Sequence, residues 1–199
     1  NVPTGFIVTA DAYRSFIADN SLQNEIVSDA RPLLKEGYPV FDQCSTVIGD
    51  KIRQASIDVA IVIAIKTAYD EIQAEHGEDA PVAVRSSANA EDLPGLSFAG
   101  QQETFLNVRG EDAVVAAVKD CWASLWTAQA ISYRHQNGID QDSVAMAVVV
   151  QLMVPSEVSG ILFTANPASG ERAEIIINGS FGLGEAVVSG QVTPDTYIV

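Results

Sequence analysis

The sequence predicts an α+β chain with a helix-rich first lobe, residues 1–136, and a sheet-rich second part, residues 137–199. Three observations predict it. Long runs of helical periodicity all fall before residue 137. After about residue 143 the chain becomes Val-rich and strand-like, with few helical patterns. The composition, 47% hydrophobic and 19% charged over 199 residues, is that of a folded chain with a sizeable core.

Taken in order, Gly5 to Thr9 reads as a strand. Thr9-Ala10-Asp11-Ala12 then opens a helix to about Ile17, with Thr9 in the N-cap position. Residues 21–36 carry a ragged helical pattern. Asp50 to about Glu75 is periodic and stops at Gly77, a residue suited to end a helix. Pro81 to Ser86 is a short β run, and Glu103 to Val108 alternates as a strand does. Residues 111–136 form a long helical segment ending at Gly138, with Trp122 and Trp126 at helical spacing. Those two indoles read as core rather than as a ligand platform. Ser143 to Met153, Val158 to Ala165, Ala173 to Gly179 and Thr196 to Val199 are the later strands, and the connection between the lobes falls near 137–143.

The bulk numbers exclude several classes of function. With 26 acidic against 11 basic residues the formal charge is −15, which argues against duplex nucleic acid or an anionic membrane as partner. A small anion, needing only a few placed donors, stays open. Cys44 and Cys121 are far apart, and no Cys or His spacing suggests a metal site or disulfide framework, which fits a reducing cytoplasm. His76 and His135 stand in polar helix-end contexts and read as surface residues. The apolar run 60–65 is too short to span a bilayer, and the start shows no signal-peptide pattern. Both ends read as strands in progress, as in a piece of something longer.

The two commonest nucleotide motifs fail. No lysine follows a glycine as a P-loop requires, and Gly182-Leu183-Gly184 lacks the third glycine of a dinucleotide fingerprint. Three other places could carry chemistry. Arg85 leaves a strand into Ser86-Ser87-Ala88-Asn89-Ala90, where a planar guanidinium fork among small residues could meet phosphate oxygens, with Gly95 and Gly100 letting the next loop bend and Thr104 adding a hydroxyl. The plain alternative is an ordinary surface loop with one solvated arginine. Gln151 interrupts the apolar run 148–154. Its amide could bond backbone, which residue chemistry alone favours, or read a purine edge beside Met153. Glu185 follows a Gly-rich turn, where a carboxylate suits a ribose hydroxyl or a metal-linked role better than a phosphate.

In combination these stretches resemble one family. VAVRSSANAEDLPGLSFAGQQETFLNVRG, then MAVVVQLMV, SGILFTANPASG and GSFGLGEAVVSGQVTPDTYIV, resemble in order the N-terminal ATP-binding domain shared by phosphoenolpyruvate synthases, pyruvate phosphate dikinases and rifampicin phosphotransferases. The wording sits nearer the synthases and rifampicin phosphotransferases than the dikinases. The resemblance implies a partial ATP-grasp-like fold. It implies an enzyme that passes the β-phosphoryl group of ATP to a histidine on another domain and then to an acceptor, pyruvate or rifampicin, leaving AMP and phosphate. It places Arg85 at the ATP phosphates with a catalytic role, Gly100 and Thr104 beside them, Gln151 and Met153 at the adenine, and Glu185 near the ribose. Mg²⁺ would be held by residues outside this chain, as would the phosphohistidine and acceptor domains. A family lysine that precedes the Val-Pro-x-Gly-Phe segment is not in the 199 residues, so the expectation is a piece that is inactive alone and binds ATP weakly. The alternative from another class is a standalone nucleotide-binding or regulatory module without catalysis.

Overall fold

The computed structural model describes residues 2–88 and 103–199 and divides into two compact units, 1–153 and 154–199. The mixed α+β class expected from the sequence is what the chain adopts. The Val-rich strand after residue 143 belongs with the helix-rich lobe, because it pairs with strands at residues 5–8 and 82–88. The contact division therefore falls after Met153, whereas the sequence suggests a connection near 137–143.

The first unit opens with β1 (Gly5–Val8) and α1 (Ala10–Asp19), whose Tyr13, Phe16 and Ile17 are buried at the i, i+3, i+4 spacing of one helix face. Thr9 stands extended at the N-cap, but its side chain makes no capping bond. The ragged pattern over 21–36 is not one helix. α2 (Gln23–Asp29) ends before Arg31-Pro32, and β2 (Leu33–Lys35) and β3 (Tyr38–Val40) then form a hairpin. Its two turn residues, Glu36 and Gly37, both have positive φ, 54° and 85°, the geometry of a tight two-residue hairpin turn.

The periodic stretch 50–75 is likewise two helices, α3 (Asp42–Gln54) and α4 (Val59–His76). Ala55 is extended, and the Asp58 carboxylate accepts from the Ala60 N–H at 2.8 Å, which starts a new helix. After β4 (Val82–Ala88) and β5 (Thr104–Val108), the segment 111–136 divides in the same way into α5 (Glu111–Ser124) and α6 (Ala128–Gln136). Here the Thr127 hydroxyl accepts from the Ala130 N–H. Periodicity survives these breaks because each pair of helices keeps its apolar face toward the same core.

β6 (Met146–Leu152) completes a four-stranded antiparallel sheet of order β1-β6-β4-β5. Val82 and Val84 of β4 and Val148 and Val150 of β6 point to one face, where Phe16, Val114, Val118 and Trp122 close the core. Trp122 and Trp126 are buried, as their spacing suggests. Trp126 Nε1 donates to Tyr13 Oη at 2.9 Å, and the Arg134 guanidinium lies 4.8 Å from the Trp126 ring centre. Arg134 is fully buried; it donates to Gln141 Oε1 and to the Leu125 carbonyl, both at 2.7 Å. Burial draws the Arg134 pKa down to about 10 and pushes the Tyr13 pKa up to about 12.

The second unit is a three-stranded antiparallel sheet, β7 (Val158–Phe163), β8 (Ile176–Phe181) and β9 (Asp195–Ile198), in that order, with the short α7 (Glu185–Val188) after β8. Among the described residues no helix is long and apolar enough to cross a membrane.

Candidate functional site

One face of the four-stranded sheet carries the helices; the other presents a different set of side chains. Alternation along β4 puts Val82 and Val84 inward and leaves Arg85 and Ser87 exposed. Along β6 it puts Val148 and Val150 inward and leaves Val149 and Gln151 half-buried on the outer face. Register joins the two rows. Arg85 stands opposite Val149 on β6 and opposite Thr104 on β5, and Ala83 stands opposite Gln151. Directly opposed residues share a face with Cβ atoms about 4.5–5.5 Å apart, and diagonal neighbours such as Arg85 and Gln151 lie about 7–8 Å apart. Arg85, Thr104 and Gln151, separate in sequence, therefore share one sheet face.

Arg85 does not leave a strand, as the residue pattern suggests. It stands in the middle of β4, paired on both sides, and Ser86 to Ala88 continue the strand. The backbone of Arg85 is thus held by two neighbours while its side chain is exposed and, among the described residues, has no ion-pair or hydrogen-bond partner. Most other cations are engaged. Lys51 meets Glu25 and Asp29, Lys66 meets Glu111 and Asp112, Arg53 meets Asp120, and Lys119 donates to the Arg53 and Ala55 carbonyls. In a chain of charge −15, a guanidinium without a carboxylate partner among the described residues is a local attraction for an anion.

Two contacts fix the surroundings. The Ser86 hydroxyl donates to the Glu103 carbonyl at 3.1 Å, tying β4 to the start of β5 beside Thr104. Gln151 Nε2 donates to the Pro3 carbonyl at 3.3 Å, a long bond that leaves its amide oxygen unused by the described residues. Gln151 thus has part of the backbone role that residue chemistry favours, and on the outer face it keeps an acceptor that no described residue uses. Gly5 of β1 faces it directly, and a Cβ there would meet the Val150 carbonyl oxygen at 2.5 Å and Gln151 Cα at 3.0 Å.

Met153 follows β6 at once, half-buried, and its N–H donates to the Pro81 carbonyl at 2.9 Å. Gly100 lies outside the described residues. Glu185 is the exposed first residue of α7 in the second unit. Ser87, one of the small residues after Arg85, stands two residues along β4 from it, and the period-two pattern of the strand puts both on the outer face.

Among the described residues no group of three or more His, Cys, Asp or Glu is placed to hold a metal ion. His76 and His135 are exposed, the latter with its ring 5.5 Å from that of Phe41. Cys121 is buried against the core side of β4; burial, with Glu103 and Asp120 adding to it, pushes the thiol up to about 12, so it stays protonated and inert.

The chain is similar to known proteins over its whole length. The pyruvate phosphate dikinase AMP/ATP-binding domain family matches residues 1–199. A probable phosphoenolpyruvate synthase of Archaeoglobus fulgidus is 51% identical over 99% of the chain, and a phosphoenolpyruvate synthase of Aeropyrum pernix is 46% identical over 100%. A rifampicin phosphotransferase of Streptomyces sviceus is 45% identical over 100%. The chain spans about a quarter of the length of these curated relatives: 26%, 24% and 22%. With that match over its whole length, the chain belongs to the pyruvate phosphate dikinase AMP/ATP-binding domain family.

Proposed function

We propose that the outer face of the β1-β6-β4-β5 sheet is one wall of an ATP site in a longer phosphotransferase. The observation that carries this reading is the convergence of Arg85, Thr104 and Gln151 on that face. The Arg85 fork matches phosphate oxygens, the Thr104 hydroxyl opposite it adds a second polar group, and the Gln151 amide two positions along the neighbouring strand suits the edge of an adenine. Met153 would flank the base and Gly100 the phosphates. In such an enzyme the β-phosphoryl group of ATP goes to a histidine on another domain and then to an acceptor, with AMP and phosphate as products. Catalysis of that kind rests on positioning and on charge offset, and Arg85 is the residue here able to supply both. Mg²⁺ and further cations would come from residues outside the chain, and the relatives' greater length supports additional domains.

Titration of ATP against the full-length protein and its Arg85→Ala variant tests the reading. A charge-assisted contact is worth roughly 1.5–3 kcal/mol, so affinity should fall on the order of tenfold to a hundredfold. Unchanged affinity would remove Arg85 from the site. Measuring AMP release with pyruvate and with rifampicin then separates the two acceptors, whose names come from the relatives alone.

A further inference from the structure

We infer that Asn107 is a positioning residue: its left-handed backbone inserts one extra residue into β5, and that insertion is what turns Thr104 onto the Arg85 face. The inference rests on the ATP-site reading above. Between Val82 and Val84 strand β4 advances two residues, while its partner β5 advances three, from Phe105 to Val108. In an unbroken ladder, side chains three apart face opposite ways. Here Phe105 and Val108 both pack against the core. The extra residue absorbs the mismatch, and within it Asn107 has φ 56°.

Both ends of β5 are fastened, so the mismatch cannot slide away. Upstream, the Ser86 N–H and hydroxyl both donate to the Glu103 carbonyl, at 3.4 and 3.1 Å. Downstream, the Arg109 guanidinium donates to the Asp79 carbonyl at 2.8 Å, and the Gly110 N–H donates to Tyr69 Oη at 3.0 Å. With the same residues laid in a regular ladder and no bulge, holding Val108 in the core would turn Phe105 outward and Thr104 inward, since a one-residue slip reverses every side chain upstream of it. The Thr104 hydroxyl would leave the Arg85 face, and the Phe105 ring would take its side.

The identity of residue 107 fits this role. Asn107 is exposed, and its side chain makes no hydrogen bond among the described residues. What it supplies is a backbone conformation that asparagine tolerates, glycine adopts freely and β-branched residues resist. A role of that kind predicts rescue by glycine, which a side-chain contact would not.

The test is a double-mutant cycle on ATP affinity in the full-length protein, with thermal melting followed in parallel. Asn107→Gly should keep affinity within about twofold, and Asn107→Val should weaken it about tenfold, the size of one lost hydrogen bond to a charged group. Thr104→Val, also about tenfold on its own, should add less than about twofold on top of Asn107→Val, because the hydroxyl is already turned away. Asn107→Ala, with a smaller steric demand, takes the valine variant's place in the cycle if that variant does not fold. Additive losses, or loss of affinity in Asn107→Gly, would overturn the inference. Arg85→Ala separates the two levels. If it binds ATP as the parent does, the site reading falls and this inference with it. If it weakens binding while the Thr104–Asn107 cycle is additive, only the role of Asn107 falls.

Discussion

Substituting alanine for Gly5 tests how closely β1 and β6 approach beside the candidate site. The added methyl would sit 2.5 Å from the Val150 carbonyl oxygen and 3.0 Å from Gln151 Cα. Both are backbone atoms of a strand paired on two sides, so neither can swing aside as a side-chain tip would. The strain must move β1, which carries Phe6 and Val8 into the core. Overpacking of this kind costs about 1–3 kcal/mol. A domain of this size loses about 2–4 °C for each kcal/mol, so melting should fall by roughly 5 °C. Differential scanning calorimetry reads the shift, and ATP titration reads the accompanying displacement of Gln151 as weaker binding. Ile7→Ala, on the same strand and 62% exposed, is the control and should change stability by no more than about 0.5 kcal/mol. Identical melting and ATP affinity in Gly5→Ala would refute the close approach and the geometry assigned to Gln151.

Three further outcomes follow from the interior and the turns. Trp126→Phe removes the donor to Tyr13 Oη and should cost about 1 kcal/mol more than Trp122→Phe by chemical denaturation, since Trp122 Nε1 is a buried donor with no partner among the described residues; equal costs would contradict the pairing. Glu36→Asn should raise stability by roughly 0.5–1 kcal/mol, because residue 36 holds φ 54° and asparagine relieves that strain; a loss would contradict the turn geometry. The Cys121 thiol is pushed from 9.0 up to about 12 in the fold, so the unfolded chain gives up this proton first. Its contribution to stability is whole below about pH 9 and is lost as pH climbs toward 12, at up to about 1.4 kcal/mol per pH unit. Cys121→Ala should therefore flatten the decline between pH 9 and 10, and parallel declines would refute a buried protonated thiol.

Much of this was legible in the residues, and the exceptions have physical causes. Val82-Ala83-Val84-Arg85 shows a strand because its inward positions must be apolar, and α1 shows itself through Tyr13, Phe16 and Ile17 on one face. The hairpin over 33–40 was hidden because its strands are exposed and carry no alternation; only Glu36-Gly37 marks the turn. The helix breaks at 55–58 and 125–127 were hidden because apolar spacing continues across them, while the caps at Asp58 and Thr127 are single residues. At the candidate site, residue types pointed to Arg85, Thr104 and Gln151 one at a time. That they share a face depends on register between strands distant in the chain, which no local pattern encodes. The same holds for the mid-strand setting of Arg85, which comes from pairing with β6 rather than from its own neighbours.

The strand order β1-β6-β4-β5 also shapes how this chain is made. Its central pairings join Gly5 to Gln151 and Ala83 to Gln151, so the strand that seals the sheet is the last of the four to leave the ribosome. At roughly 5–20 residues per second, a nascent β1 waits on the order of ten seconds for its partner. During that interval β1 and β4 both lack β6, and the valines it will cover are open to chaperones or to the wrong strand. Slow codons placed before residue 146 would lengthen that exposure, whereas slow codons after residue 152 would give the sheet time to close.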